Sequence, residues 1–166
     1  MVLTKSELVA SLQNEVRILR HLADKVDPAH YDYRPTPKQR STIELLRYLS
    51  MMGPTLISAA TSGGFNPATW TAQKQAADAR DFHQTVTAIA GLDDQFATLV
   101  GDIPEGDFRH EIEMFGNKAT LGSFLVNTVL AGYAAYRTQL FLYLKACGLH
   151  HLTTMNLWGG MDPAPK

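Results

Sequence analysis

Six histidines, sixteen carboxylates and one cysteine are the side chains of this 166-residue sequence best suited to metal binding or proton transfer. Their spacing favours neither. His21, His30, His83, His110, His150 and His151 form no HxxxH or HExxH pair, the spacing that sets two imidazoles on one helix face. His150 and His151 are adjacent, so on a helix they would diverge by about 100°. His83 follows Phe82 on an apolar stripe and is the histidine best placed to turn toward a ligand pocket. Asp24 and Asp27, like Asp78 and Asp81, sit three apart and read as solvated faces. No Glu-x-x-His motif repeats on facing helices, as a carboxylate-bridged metal pair would need. Ser50 and Ser123 have no nucleophile-elbow context. Cys147 falls in a helix's last turn, where the dipole disfavours a thiolate, so it reads as a packed thiol.

The elements that would position these groups are helical. Thr4 and Glu7 form a capping-box pattern that opens a helix from Ser6 to Val26, with Leu8, Leu12, Val16 and Leu19 on one stripe. Asp27-Pro28 ends it. Residues 29–40, with Tyr31, Tyr33, Pro35 and Pro37, predict a stiff, ordered crossing. Ser41 and Glu44 cap a second helix through Leu46, Leu49, Met52 and Leu56, in which Gly53-Pro54 conflicts with an unbroken hydrogen-bond ladder. After a loop at 61–67, Ala72, Ala76, Ala79, Phe82, Val86 and Ile89 predict a third helix from Thr69 into the 90s, with a bend at Gly91. Residues 105–119 read as short helical or extended pieces, with a hairpin the weaker alternative. The fourth helix spans Leu121 to Ala146 and ends at a Gly148 cap. The apolar residues of 150–158 would tuck back onto the bundle. The whole reads as one domain over residues 1–158 with a flexible tail at 159–166.

Composition narrows the function classes. The net charge is -1, and Arg17, Arg20, Lys25, Lys38 and Arg40 are interspersed with acids, which argues against nucleic acid. No apolar run is long enough for a membrane span, and no signal-peptide pattern opens the chain. The expectation is a cytoplasmic protein. One cysteine excludes an internal disulfide.

Three stretches resemble the DinB-like superfamily, which includes the YfiT-like thiol-dependent enzymes. The first is Tyr31-Asp32-Tyr33-Arg34-Pro35, followed by Ser41-Thr42-Ile43-Glu44-Leu45-Leu46-Arg47-Tyr48-Leu49. The second is Gly132-Tyr133-Ala134-Ala135-Tyr136-Arg137-Thr138-Gln139-Leu140. The third is Tyr143-Leu144-Lys145-Ala146-Cys147-Gly148. The resemblance implies an all-α four-helix bundle of up-down-down-up topology with a long crossover, often as a homodimer. It also implies a divalent metal held by one histidine of helix two and two of helix four. The matching positions here are Tyr48, Gly132 and Tyr136, so the expectation is a DinB-like protein without that metal and without a cofactor. Tyr48 and Tyr136 would project into the space of the family's metal, and Gly132 would leave room beside them. The rings would then either fill that space or line a cleft for a small organic ligand. The expected cleft is Tyr48, Tyr136, Gly132, His83 and Glu44, with Arg137 turned toward a carboxylate such as Glu44. Two rival readings are a thiol-dependent transferase or metal-dependent hydrolase with a rearranged site, and a dimeric structural or interaction protein.

Overall fold

The computed structural model describes residues 3–164. Both predicted capping boxes form. Thr4 N–H donates to the Glu7 carboxylate (2.7 Å) and opens α1, Lys5–Ala23. Ser41 N–H donates to Glu44 (2.8 Å) and opens α2, Thr42–Thr61. The crossing between them is ordered: Thr42 and Ile43 N–H donate back to the Tyr33 and Tyr31 carbonyls at 2.9 and 3.0 Å.

The third predicted helix is three separate helices: α3 (Pro67–Asp78), α4 (Phe82–Ala90) and α5 (Leu92–Gly101). The break has a local cause. Asp81 and Gln84 form a capping box of their own, which starts a new helix inside the expected stripe. Gly91 then closes α4 and opens α5. As a result α3 is a surface helix lying on α2. Ala72, Ala76 and Ala79 are exposed, and only Ala77 is buried.

The hairpin, weaker of the two readings, is present. β1 (Glu111–Met114) pairs antiparallel with β2 (Asn117–Thr120), Met114 opposite Asn117. Its alternation is the ordinary strand period: Met114 is buried and Ile112 half-buried, while Glu111 and Glu113 face out. The fourth helix follows as one run: α6 (Leu121–Phe124), a π-turn (Leu125–Leu130) and α7 (Ala131–Ala146), with right-handed helical angles at both junctions.

α1 and α2 each pack against α4–α5 and against α7, so they face one another across the bundle. Within it, α2 meets its Gly53-Pro54 conflict with help from α7. The buried Tyr133 hydroxyl donates to the Leu49 carbonyl (2.8 Å) and accepts from the Gly53 N–H (3.3 Å). Those two backbone groups would pair with each other in an undisturbed helix.

The C-terminal segment turns back onto α1. Leu152 and Asn156 are buried, and Arg17 donates to the Gly159 and Gly160 carbonyls at 2.8 and 3.3 Å. Lys25 pairs with Asp162 at 2.7 Å. The start of the segment expected to be a flexible tail is therefore held by ionic and backbone contacts; positions 165–166 lie outside the described residues.

Candidate functional site

Two matched side-chain stripes face each other near the middle of the bundle. Tyr48, Met52 and Leu56 recur every four residues along α2. Thr128, Gly132 and Tyr136 do so from the π-turn into α7. Four-residue spacing keeps each set on one helix face. Between them lies a cavity of about 350 Å³, bordered on its outer side by Phe65, Trp70 and Phe115 and open to solvent. Gly132 makes part of this room: a side chain there would begin 3.3 Å from the end of Met52.

The rings form a connected ladder. Tyr136 meets Tyr48 edge-on with centroids 5.2 Å apart, and Tyr48 meets Trp70 at 6.2 Å. Phe65 then lies 5.6 Å from Trp70 and 5.0 Å from Phe115. Edge-on and tilted pairs suit the ring quadrupoles. The Arg40 guanidinium stands 3.8 Å over the Tyr48 ring and 5.9 Å from that of Tyr136, so it covers the tyrosine end.

Burial pushes the Tyr48 phenol up to about 12, helped by the neighbouring Tyr136 phenol and opposed by Arg40. The Tyr48 phenol is therefore neutral at physiological pH and offers a hydroxyl hydrogen bond, not phenolate chemistry. A raised folded-state pKa contributes stability that is complete below pH 10 and is lost between pH 10 and about 12. An absorbance titration at about 295 nm should show Tyr48 and the fully buried Tyr133 ionising last, well above the ordinary tyrosine value of about 10. Full ionisation of all six tyrosines by pH 10.5, with helicity intact, would contradict the buried placement.

The structure brings Tyr48, Tyr136 and Gly132 together and leaves two expected cleft residues outside. His83, second residue of α4, is exposed, because the Asp81 cap rotates it outward while Phe82 stacks on Tyr31 at 4.6 Å. Glu44 is committed to its capping box and to Arg34 at 3.1 Å. The backbone hydrogen bond from Ser41 holds its carboxyl below the usual range. Arg137 does not reach Glu44. It pairs with Glu15 of α1, one fork at 3.3 Å and the other closer, with both side chains nearly buried. The signal for this was a carboxylate beside Val16 on the buried stripe of α1. Cys147 is half-buried, and burial raises its thiol pKa, as a packed thiol requires.

Phe65, Trp70, Phe115 and Thr128 are cavity residues that periodicity alone missed, three of them because they sit in a loop, a surface helix and a hairpin turn. Among the described residues no three His, Cys, Asp or Glu side chains converge. Tyr48, Tyr136 and Gly132 offer two phenols and no side chain at all, a set that does not fit a divalent cation. A larger groove of about 650 Å³ lies between the start of α1 and the π-turn, along Leu8, Phe108 and Val126. Much of its polar lining is already engaged: Lys5 donates to the Gly101 carbonyl, Ser11 to the Glu7 carbonyl, and Asn127 to Ser123. The tyrosine cavity is the smaller, but its hydroxyls make no hydrogen bond to backbone or carboxylate among the described residues. No described helix is long and apolar enough to cross a membrane.

No family model and no curated protein matches the sequence. The structure is similar to the crystal structure of a DinB-like protein, YjoA, from Bacillus subtilis. The TM-score is 0.64 at 16% identity, over 85% of this chain and 92% of that one. At that identity the likeness is one of architecture: the chain has an all-α, DinB-like fold.

Proposed function

We propose that this protein binds a small, neutral, ring-containing molecule in the Tyr48–Tyr136 cavity, and that it does so without the divalent metal of its structural class. The observation that carries this reading is the pair of neighbouring phenol hydroxyls, bonded to no backbone group or carboxylate among the described residues, at one end of an otherwise apolar, aromatic cavity. A ligand site of this kind combines an apolar wall with a few polar groups that fix orientation. The volume stands at the small end of the usual range of about 300–1,000 Å³, which suits one or two rings. No carboxylate lines the cavity, so a bare ammonium inside it would go unpaired.

Calorimetric titration with 1-naphthol tests the reading. Binding should be measurable for the native chain. Gly132→Ile should weaken it about tenfold or more, a loss of about 1.4 kcal/mol, by filling the cavity from within. The variant should fold, because the added side chain meets the flexible end of Met52. Unchanged affinity in Gly132→Ile would place the binding elsewhere. A stoichiometric divalent metal in the purified protein, lost together with naphthol binding on chelation, would overturn the metal-free part.

A further inference from the structure

Phe115 occupies a position that neither turn chemistry nor burial explains. It is the first residue of the two-residue turn joining β1 to β2, and its φ is +55°, followed by +75° at Gly116. Positive φ at both central residues is the type I′ pattern, which favours Asn-Gly or Asp-Gly. Among the described residues Phe115 is the only non-glycine residue with positive φ. Phenylalanine is costly there, since its Cβ crowds the backbone and it lacks the short polar side chain that eases asparagine into this region. Nor is the ring sheltered in the core: Phe115 is 57% exposed. What it does touch is the cavity, where its ring lines the outer wall and leans on Phe65.

Phe65 is itself carried on a loop built for freedom. Gly63 and Gly64 before it have φ of +96° and +140°, and a side chain at either would meet nothing within 4 Å. Beside Trp70 of α3, the outer wall of the cavity is thus made by two rings on two short arms, the 111–120 hairpin and the 62–66 loop. The inner wall stands on the packed helices α2 and α7.

We infer that Phe115 is a lid residue, held in an unfavourable backbone conformation so that its ring, with Phe65, closes over a flat aromatic ligand in the tyrosine cavity. This rests on the ligand-binding reading of that cavity and adds the group that retains the ligand and selects for planarity. A planar ring can stack against Phe115 and Phe65, whereas a branched aliphatic molecule of the same volume would hold them apart.

The test compares the native chain with Phe115→Asn, using 1-naphthol and, as a non-planar probe, cyclohexylmethanol. Asparagine suits the turn, so the variant should fold with a melting temperature equal to or above the native one. Its affinity for 1-naphthol should fall about tenfold, and the preference for 1-naphthol over cyclohexylmethanol should shrink. If native protein binds 1-naphthol and Phe115→Asn binds it equally well, the lid is overturned while the cavity reading stands. If the native chain binds neither probe, both fall together. A melting temperature several degrees below native would assign Phe115 to stability and overturn the lid.

Discussion

Glu15→Ala should lower the unfolding free energy by about 3–5 kcal/mol, read from urea denaturation at pH 7. The carboxylate and its Arg137 partner are 8% and 4% exposed, so neither charge has much water to fall back on. Arg137 also donates to the Leu157 carbonyl and lies 5.1 Å beneath the Trp158 ring, joining α1, α7 and the C-terminal turn through one guanidinium. Deleting the carboxylate leaves that cation buried without its counter-charge, which is the expensive half of a buried pair. The double replacement Glu15→Leu with Arg137→Met should regain most of the loss, because both desolvation penalties vanish together. A remnant should persist, since the Leu157 carbonyl loses its donor. A loss below about 1 kcal/mol in Glu15→Ala would mean that water or a second acceptor takes over the carboxylate's role.

Gly53→Ala should be destabilising by about 3 kcal/mol, although helix propensity taken alone favours alanine by about 1 kcal/mol. The decision is steric. A Cβ at this position would stand 2.7 Å from Tyr133 Cε2 and 2.8 Å from both Phe96 Cζ and the Tyr133 hydroxyl oxygen. Tyr133 and Phe96 are 1% and 0% exposed, so neither ring can swing into solvent. Crowding a packed core costs about 1–3 kcal/mol. Displacing the Tyr133 hydroxyl strands the Leu49 carbonyl it serves, for about 1–3 kcal/mol more. Tyr133→Phe isolates the second contribution and should cost about 1–2 kcal/mol with the packing intact. Thermal unfolding of both variants checks the order; a stabilised Gly53→Ala would show that the helices separate freely at this point.

These two sites also mark how far the amino-acid order can be read. The apolar stripes of α1, α2 and the last helix, and the capping boxes at Thr4 and Ser41, are local patterns, and the structure follows them. The Gly53-Pro54 conflict was visible, but which side chain would resolve it was not, because Tyr133 lies eighty residues from Gly53 in the chain. Glu15 stands beside Val16 in the sequence, yet its partner is 122 residues off. The division of the third helix was in principle legible, since Asp81 and Gln84 carry the same cap signature as Thr4 and Glu7. A run of alanines and apolar residues through the break concealed it. The hairpin was hidden by two strands of four residues each and by a turn whose first residue contradicts ordinary turn preference. At the candidate site, Tyr48, Gly132 and Tyr136 came from matched positions on two long helices. Phe65 and Phe115 sit on connections whose course depends on contacts between elements distant in the chain.

The ladder of rings gives the cavity an optical signature. Trp70 stands 6.2 Å from Tyr48, well inside the range over which an excited phenol hands its energy to an indole. Light absorbed by the cavity tyrosines therefore emerges as indole emission. The second tryptophan, Trp158, is 68% exposed and emits as a hydrated chromophore at longer wavelength. The blue-shifted component of the spectrum thus belongs to Trp70, and whatever enters or leaves the space beside it is reported by a fluorophore already in the wall.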